Sequence, residues 1–248
     1  MYACVMARTL NLKTLKQQVY EYLSREIRAK RLKPGEKIHL DRTADKLGVS
    51  RTPLREALMQ LEMEGFVTIT PRVGIVVNRL TMDDIREYYQ VIGSLEAAAV
   101  RMGWHRVTDS HLEQMSALNQ QMQVAIDDGD FATFYRLNVK FHDVYIGLAK
   151  NRTLHQTANN LKRRLYDFLP ADRWIREWET ESLDGHQLLI TYMEKRELEK
   201  AMFLLTDITW NFEVHAFDIA RYYGFQLPDA PDGAERINPY RMHPQIQG

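Results

Sequence analysis

The 248 residues carry 33 Lys and Arg against 33 Asp and Glu, and 45% are hydrophobic, the proportions of an ordinary folded chain of one or two domains. A single cysteine, Cys4, excludes an internal disulfide and a thiolate zinc site. No apolar run approaches the ~20 residues that span a bilayer, and the first 30 residues lack the apolar core and small-residue cleavage site of a secretory signal, so a cytoplasmic protein with no membrane contact is expected. The neutral total hides an asymmetry. Residues 1–80 hold 15 Lys/Arg and 8 Asp/Glu, whereas the remaining 168 hold 18 and 25. A basic segment joined to an acidic remainder suggests that only the first meets a polyanion.

In chain order, residues 1–11 read as a loose arm. Leu15, Val19, Leu23 and Ile27 recur at helical spacing, and Pro34-Gly35 stops that helix in a turn. A short helix over about Asp41–Leu47 ends at Gly48. Ser50 caps a third helix over Arg51–Glu64, which Gly65 ends. Phe66–Ile69 and Gly74–Val77 flank Thr70-Pro71-Arg72-Val73 as a hairpin. The expected fold of 12–79 is therefore a winged helix-turn-helix.

Beyond Leu80 no strand pattern is convincing. Thr81 caps a helix with Asp83 and Asp84 in its first turn, and helical segments are expected near 82–102, 109–127, 130–149, 152–168, 174–194 and 196–223, with Pro170 breaking one connection. That is an all-α antiparallel bundle over 80–224 with its own core. Residues 225–248, with four of the eight prolines in 228–248, read as a flexible tail, disordered or docked.

The stretch 48–65 carries the sharpest chemistry. Leu54, Ala57, Leu58 and Leu61 form one apolar face, which leaves Arg51, Thr52 and Arg55 elsewhere in the first turn and a half. A recognition helix needs that arrangement, because its N-terminal end enters the major groove and Arg pairs with guanine edges. Amides freed near Ser50 suit a phosphate. Arg72 at the hairpin tip would reach the backbone or minor groove, and Lys33, Lys37, Arg42 and Lys46 are further phosphate candidates.

Leu47-Gly48-Val49-Ser50-Arg51-Thr52-Pro53-Leu54-Arg55-Glu56-Ala57-Leu58, then Leu61-Glu62, Glu64-Gly65 and Pro71-Arg72-Val73-Gly74, resemble the GntR superfamily of bacterial transcription regulators. Members often place a DNA-contacting Arg early in the second helix. Here Asp41 stands there, with Arg42 next to it. Residues 82–223 are similar to the sensor domain of the FadR/FCD branch, through Leu95-Glu96, Phe141-His142, Leu148-Ala149-Lys150-Asn151 and Gly185-His186-Gln187-Leu188-Leu189-Ile190. The resemblance implies a helical sensor that dimerises and binds a small effector. Many members also hold a divalent metal (Zn, Ni or Mn) through an Asp or Asn, two His and a third His in the last helix. Carried over, these are Asn138, one turn before His142, then His142 and His186. The third His is expected near Ile208 and is missing. Asp207 is adjacent, and His215 lies two turns further on.

The residues alone leave several readings open. His142 suits a hydrogen-bonded core position, a residual metal site, or direct contact with a carboxylate effector beside His186 and an arginine such as Arg136, Arg163 or Arg164. Sensor domains of the family that the chain resembles usually carry an Arg in the first helix; Val91-Ile92-Gly93 stands there here, and the resemblance then implies a more apolar pocket. Trp174, Trp178, Trp210, Tyr166, Phe168 and Phe203 are mostly core candidates, some of which would line such a pocket. Tyr88, Tyr89 and Glu96 read as packing and solvated positions. The expected function is a homodimeric, duplex-operator-binding transcription regulator, usually a repressor, controlled by a small organic or apolar acid. The rivals are a metal-dependent enzyme using His142 and His186, which would lack an evident general base, and a winged-helix protein-interaction module.

Overall fold

The computed structural model describes residues 13–167, 174–226 and 238–242. The expected arm over 1–11, the break at Pro170 and Phe168 lie outside them. The chain divides into two compact units at Arg79/Leu80.

In the first unit, α1 (Leu15–Arg28) begins at a reciprocal cap between Thr14 and Gln17, which satisfies amides that the first helical turn leaves open. It buries Val19, Leu23 and Ile27 against α3 (Arg51–Met63), whose inward residues are Leu54, Ala57, Leu58 and Leu61. All four are fully buried, and each of the three leucines contributes about 1.5–3 kcal/mol of transfer free energy. Between them, α2 (Leu40–Leu47) ends at Gly48 in the left-handed region, φ 64°.

The wing holds one strand more than the sequence patterning indicated. β2 (Val67–Thr70) and β3 (Gly74–Val77) form the expected hairpin, and β1 (Lys37–Ile38) adds to β3 in the order β1-β3-β2, all antiparallel. A two-residue strand is too short to show an alternation. Only Ile38, paired with Ile75, turns inward. Asn78 fastens the wing to the end of α3: its Nδ2 donates to the Gly65 carbonyl at 2.8 Å and its Oδ1 accepts from Thr68 at 2.7 Å.

The second unit is helical: α4 (Met82–Gly103), a 3-10 turn at Trp104–Arg106, α5 (Asp109–Asp127), α6 (Phe131–Leu148), α7 (Arg152–Asp167), α8 (Arg176–Glu194), α9 (Leu198–Phe203), α10 (Phe212–Tyr223) and α11 (Pro239–Met242). α4 packs on α6, α7 and α9, and α5 packs on α6 and α8. The single helix expected over 196–223 is interrupted. A π-helical turn spans Leu204–Thr209, and Asn211 then caps α10 by accepting from the Glu213 amide. The cause is Trp210, which turns into the core and is 5% exposed. Within the segment expected as a disordered or docked tail, the described α11 docks on α8, with Asn238 and Arg241 both donating to Asp184.

Removing the Asn78 clamp leaves the Gly65 carbonyl without that amide donor. Asn78→Ala is expected to lower the stability of the first unit by about 1–2 kcal/mol, read from urea unfolding. A change under a few tenths would contradict the clamp.

Candidate functional site

The first unit presents its candidates as a face. Arg51, Thr52 and Arg55 are exposed on α3, and Arg42 is exposed on α2. Ser50 holds the N-cap position, yet its hydroxyl makes no capping bond, which leaves the first amides of α3 open to an anion. Arg72 is exposed at the hairpin tip with φ 64°. Arg51 is already engaged in an ion pair: its Nε lies 2.6 Å from Asp41 Oδ1, with both side chains about two-thirds exposed. The acid that replaces the usual second-helix arginine thus holds one of the candidate readers.

In the second unit the polar centre is Glu96, which the sequence reading treated as a packing or solvated position. Its side chain is fully buried. Lys162 Nζ donates to Oε1 at 2.9 Å, Tyr145 to Oε2 at 2.5 Å, and Trp210 Nε1 to Oε2 at 2.7 Å. His142 Nδ1 lies 3.0 Å from Oε2 and 2.6 Å from the Tyr145 hydroxyl. Burial alone would push the Glu96 carboxyl up. The charges of His142 and Lys162 and the hydrogen bonds from His142 and Tyr145 outweigh it and hold the group well below the usual carboxylate range. Three segments, α6, α7 and the turn before α10, therefore converge on the carboxylate that α4 carries. Gly93 permits the last approach, since a Cβ there would lie 2.9 Å from Trp210 Cβ.

Beside this network lies a cavity of about 80 Å³, lined by His142, His186, Asn138 and His215 among aromatic residues that include Tyr89, Tyr166, Trp178, Tyr222 and Tyr240. Asn119 orients His186. The Asn119 amide donates to the Leu183 carbonyl, so its Oδ1 accepts from His186 Nδ1 at 3.1 Å. That leaves the His186 lone pair on Nε2. Burial, then the neighbouring His142, pushes the His186 pKa well down, which keeps the ring neutral. Asn138 donates to Tyr166 through Nδ2, and its buried Oδ1 has no protein partner. At Asn138 and His186 the polar wall thus offers hydrogen-bond acceptors.

The other candidates fall away from this wall. Arg136 and Asp207 are exposed, and Asp207 accepts from Thr206. Arg164 donates to the Tyr88 hydroxyl. No Lys or Arg lines the cavity among the described residues, so the arginine expected beside a carboxylate effector is not found there. His215 does reach the cavity, because the break at Trp210-Asn211 restarts the helix. However, its Nε2 donates to the Ile208 carbonyl at 2.9 Å and its Nδ1 accepts from Trp178 Nε1.

A metal implied by resemblance would find two imidazoles and an amide oxygen. The third imidazole is committed elsewhere, and the carboxylate behind His142 is shared with an ammonium. That set does not fit a resident divalent ion, whose binding needs more imidazole or anionic donors. No group of three His, Cys, Asp or Glu suited to a metal occurs among the described residues.

Residues 15–77 match the bacterial regulatory proteins of the gntR family, and residues 87–208 match the FCD domain. The Nta operon transcriptional regulator of Aminobacter aminovorans is 33% identical over 186 residues, which cover 73% of this chain and 85% of that one. The chain belongs to the GntR family. The HTH-type transcriptional repressor RspR of Escherichia coli is 29% identical over 146 residues, 59% of this chain and 64% of that one. Among solved structures, E. coli McbR/YncC has a TM-score of 0.66 at 21% identity, covering 86% of this chain and 100% of that one. A regulator from Rhodococcus sp. RHA1 scores 0.63 at 19% identity, over 82% and 96%; both likenesses concern the fold. GntR-family proteins with an FCD domain are transcription regulators rather than enzymes, and no helix among the described residues is long and apolar enough to cross a membrane.

Glu96 and Lys162 should respond unequally to removal. Glu96→Gln strands a buried ammonium and is expected to cost about 3–5 kcal/mol. Lys162→Met leaves the carboxylate with Tyr145, Trp210 and His142 and should cost less. The double variant should cost less than the two losses added. Urea unfolding of the four proteins tests this, and additive losses would contradict the shared network.

Proposed function

We propose that this GntR-family regulator is a homodimeric operator-binding repressor whose DNA affinity is set by a small effector in the cavity of its FCD domain. The observation that carries this reading is the cavity itself: aromatic walls around a polar face in which Asn138 Oδ1 is buried without a protein partner. Unpartnered buried acceptors cost free energy, and a ligand donor would recover it. The acceptor wall favours an uncharged effector bearing hydroxyl groups over the organic acid that the sequence suggested. His142, His186 and Asn138 contact it directly, without a metal.

On the DNA side, Arg55 and Arg51 read base edges, Thr52 and Ser50 support them, and Arg42 and Arg72 meet the backbone. Two copies are needed for a near-palindromic operator. The effector acts by coupling cavity occupancy to dimer geometry, typically a 5–150-fold change in affinity. An operator selected from random duplexes, and a ligand found by thermal shift, test the pair together. A ligand that binds the cavity and leaves operator affinity unchanged would contradict the reading.

With that operator, Arg55→Ala is expected to weaken binding by about 1–3 kcal/mol. Asp41→Asn should do the opposite. It frees Arg51 from an exposed pair worth at most ~1 kcal/mol and removes a negative charge facing phosphate, so affinity should rise up to about fivefold. Gel shifts at matched salt check both; unchanged binding in Arg55→Ala would remove that residue from the interface.

A further inference from the structure

One wall of the cavity comes from the C-terminal end of the chain. α11 carries Tyr240 into the cavity lining, where it is 5% exposed. Its ring lies against Gly185: a Cβ built there would sit 2.5 Å from Tyr240 Cε1 and 2.7 Å from Cζ. Thr209 also lines the cavity, and the ring centroid is 6.2 Å from that of His215. These neighbours form a fitted slot, with a floor that has no side chain, an aromatic neighbour and a threonine in its lining.

The rest of the segment is held lightly. Asn238 and Arg241 both donate to Asp184 at the rim, and the Arg241 side chain is 71% exposed. Exposed pairs of this kind add little, and a four-residue helix has no stability of its own. Docking of Tyr240 is therefore what fixes α11 in place. Volume points the same way. With the ring docked, about 80 Å³ remains, room for a few waters and well short of the ~300–1,000 Å³ of a small-molecule site.

We propose that Tyr240 is an intramolecular occupant of the effector site, filling a slot that accepts a para-substituted phenol, and that an effector of this aromatic, hydroxyl-bearing class enters as the segment leaves. The inference rests on the reading of this cavity as the sensor site and names its ligand class. Intrinsic affinity is then masked in the resting chain by the fraction of molecules with Tyr240 docked.

The probe is p-cresol, the tyrosine side chain as a free molecule, titrated by calorimetry and thermal shift into the full-length chain. Tyr240→Ala should bind one p-cresol per chain at least about tenfold more tightly than the wild type, and should gain a few degrees in Tm when saturated. Adding Gly185→Ala to that variant should abolish the binding by filling the slot floor. If Tyr240→Ala does not fold, a chain lacking residues 238–248 takes its place. Equal p-cresol affinity in wild type and variant, or binding indifferent to Gly185, would overturn the proposal. Operator affinity is measured separately on the p-cresol-loaded variant. Binding in the slot with a changed operator affinity supports both the slot and the sensor reading. Slot binding that leaves operator affinity untouched keeps the slot and refutes the sensor.

Discussion

The buried carboxylate of Glu96 is the constraint on which the second unit is arranged. Burying an ion costs several kcal/mol even after relaxation, and here that cost is offset by Lys162, Tyr145, Trp210 and His142. Each partner arrives from a different segment or a different turn, so satisfying one charge fixes several backbones at once. Trp210 reaches Glu96 where the last long helix stops, and the restart at Asn211 carries His215 to the cavity. His142 spends Nδ1 on the network while its ring lines the cavity. A ligand touching His142 therefore presses on the same carboxylate that holds Trp210 and Lys162. That is a contiguous physical route from cavity to packing, the kind of element through which an effector can bias a dimer.

Most of the fold was legible because it rests on local rules. Thr81 with Asp84, Gly48, and the alternation around Pro71-Arg72 act through neighbouring backbone, so a sequence displays them. The recognition helix was legible for the same reason, since its apolar face alone separates Arg51 and Arg55 from the core. The Glu96 network was harder to see because its partners lie up to 114 positions apart. Even so, a signal existed. On α4 the buried stripe runs Ile85, Tyr89, Ile92, Glu96, Ala99 and Gly103, and on α7 it runs Leu154, Ala158, Lys162 and Leu165. One acid and one base each interrupt an apolar stripe, which is the expected pattern of a buried pair. The resemblance implied a third histidine near Ile208, where there is none; His215, two turns further on, reaches the cavity because the helix stops and restarts at Asn211. Tyr240 carried no local signal, because its slot is made by the absence of a side chain at Gly185.

The zero net charge also acquires a structural sense. The exposed arginines of the first unit are tempered by Asp41, which holds Arg51 at the entrance of the recognition helix. In the second unit the buried ammonium of Lys162 is paired with Glu96, and no Lys or Arg is among the described cavity-lining residues. Charge that could attract any polyanion is thus restrained on one unit and neutralised inside the other. Affinity gained by electrostatics alone is sequence-independent and salt-sensitive. Restraining it shifts the burden of selectivity to base contacts.

Glu96 sets the hydrogen-bonding pattern of the polar wall of the cavity. Imidazole ¹⁵N–¹H NMR of the wild type and Glu96→Gln tests it most directly. The account predicts a strongly hydrogen-bonded Nδ1–H on His142 that weakens in Glu96→Gln, while His186 remains a neutral Nδ1–H ring in both proteins at pH 6. A His142 signal that ignores the substitution, or a His186 that is protonated at that pH, would contradict it.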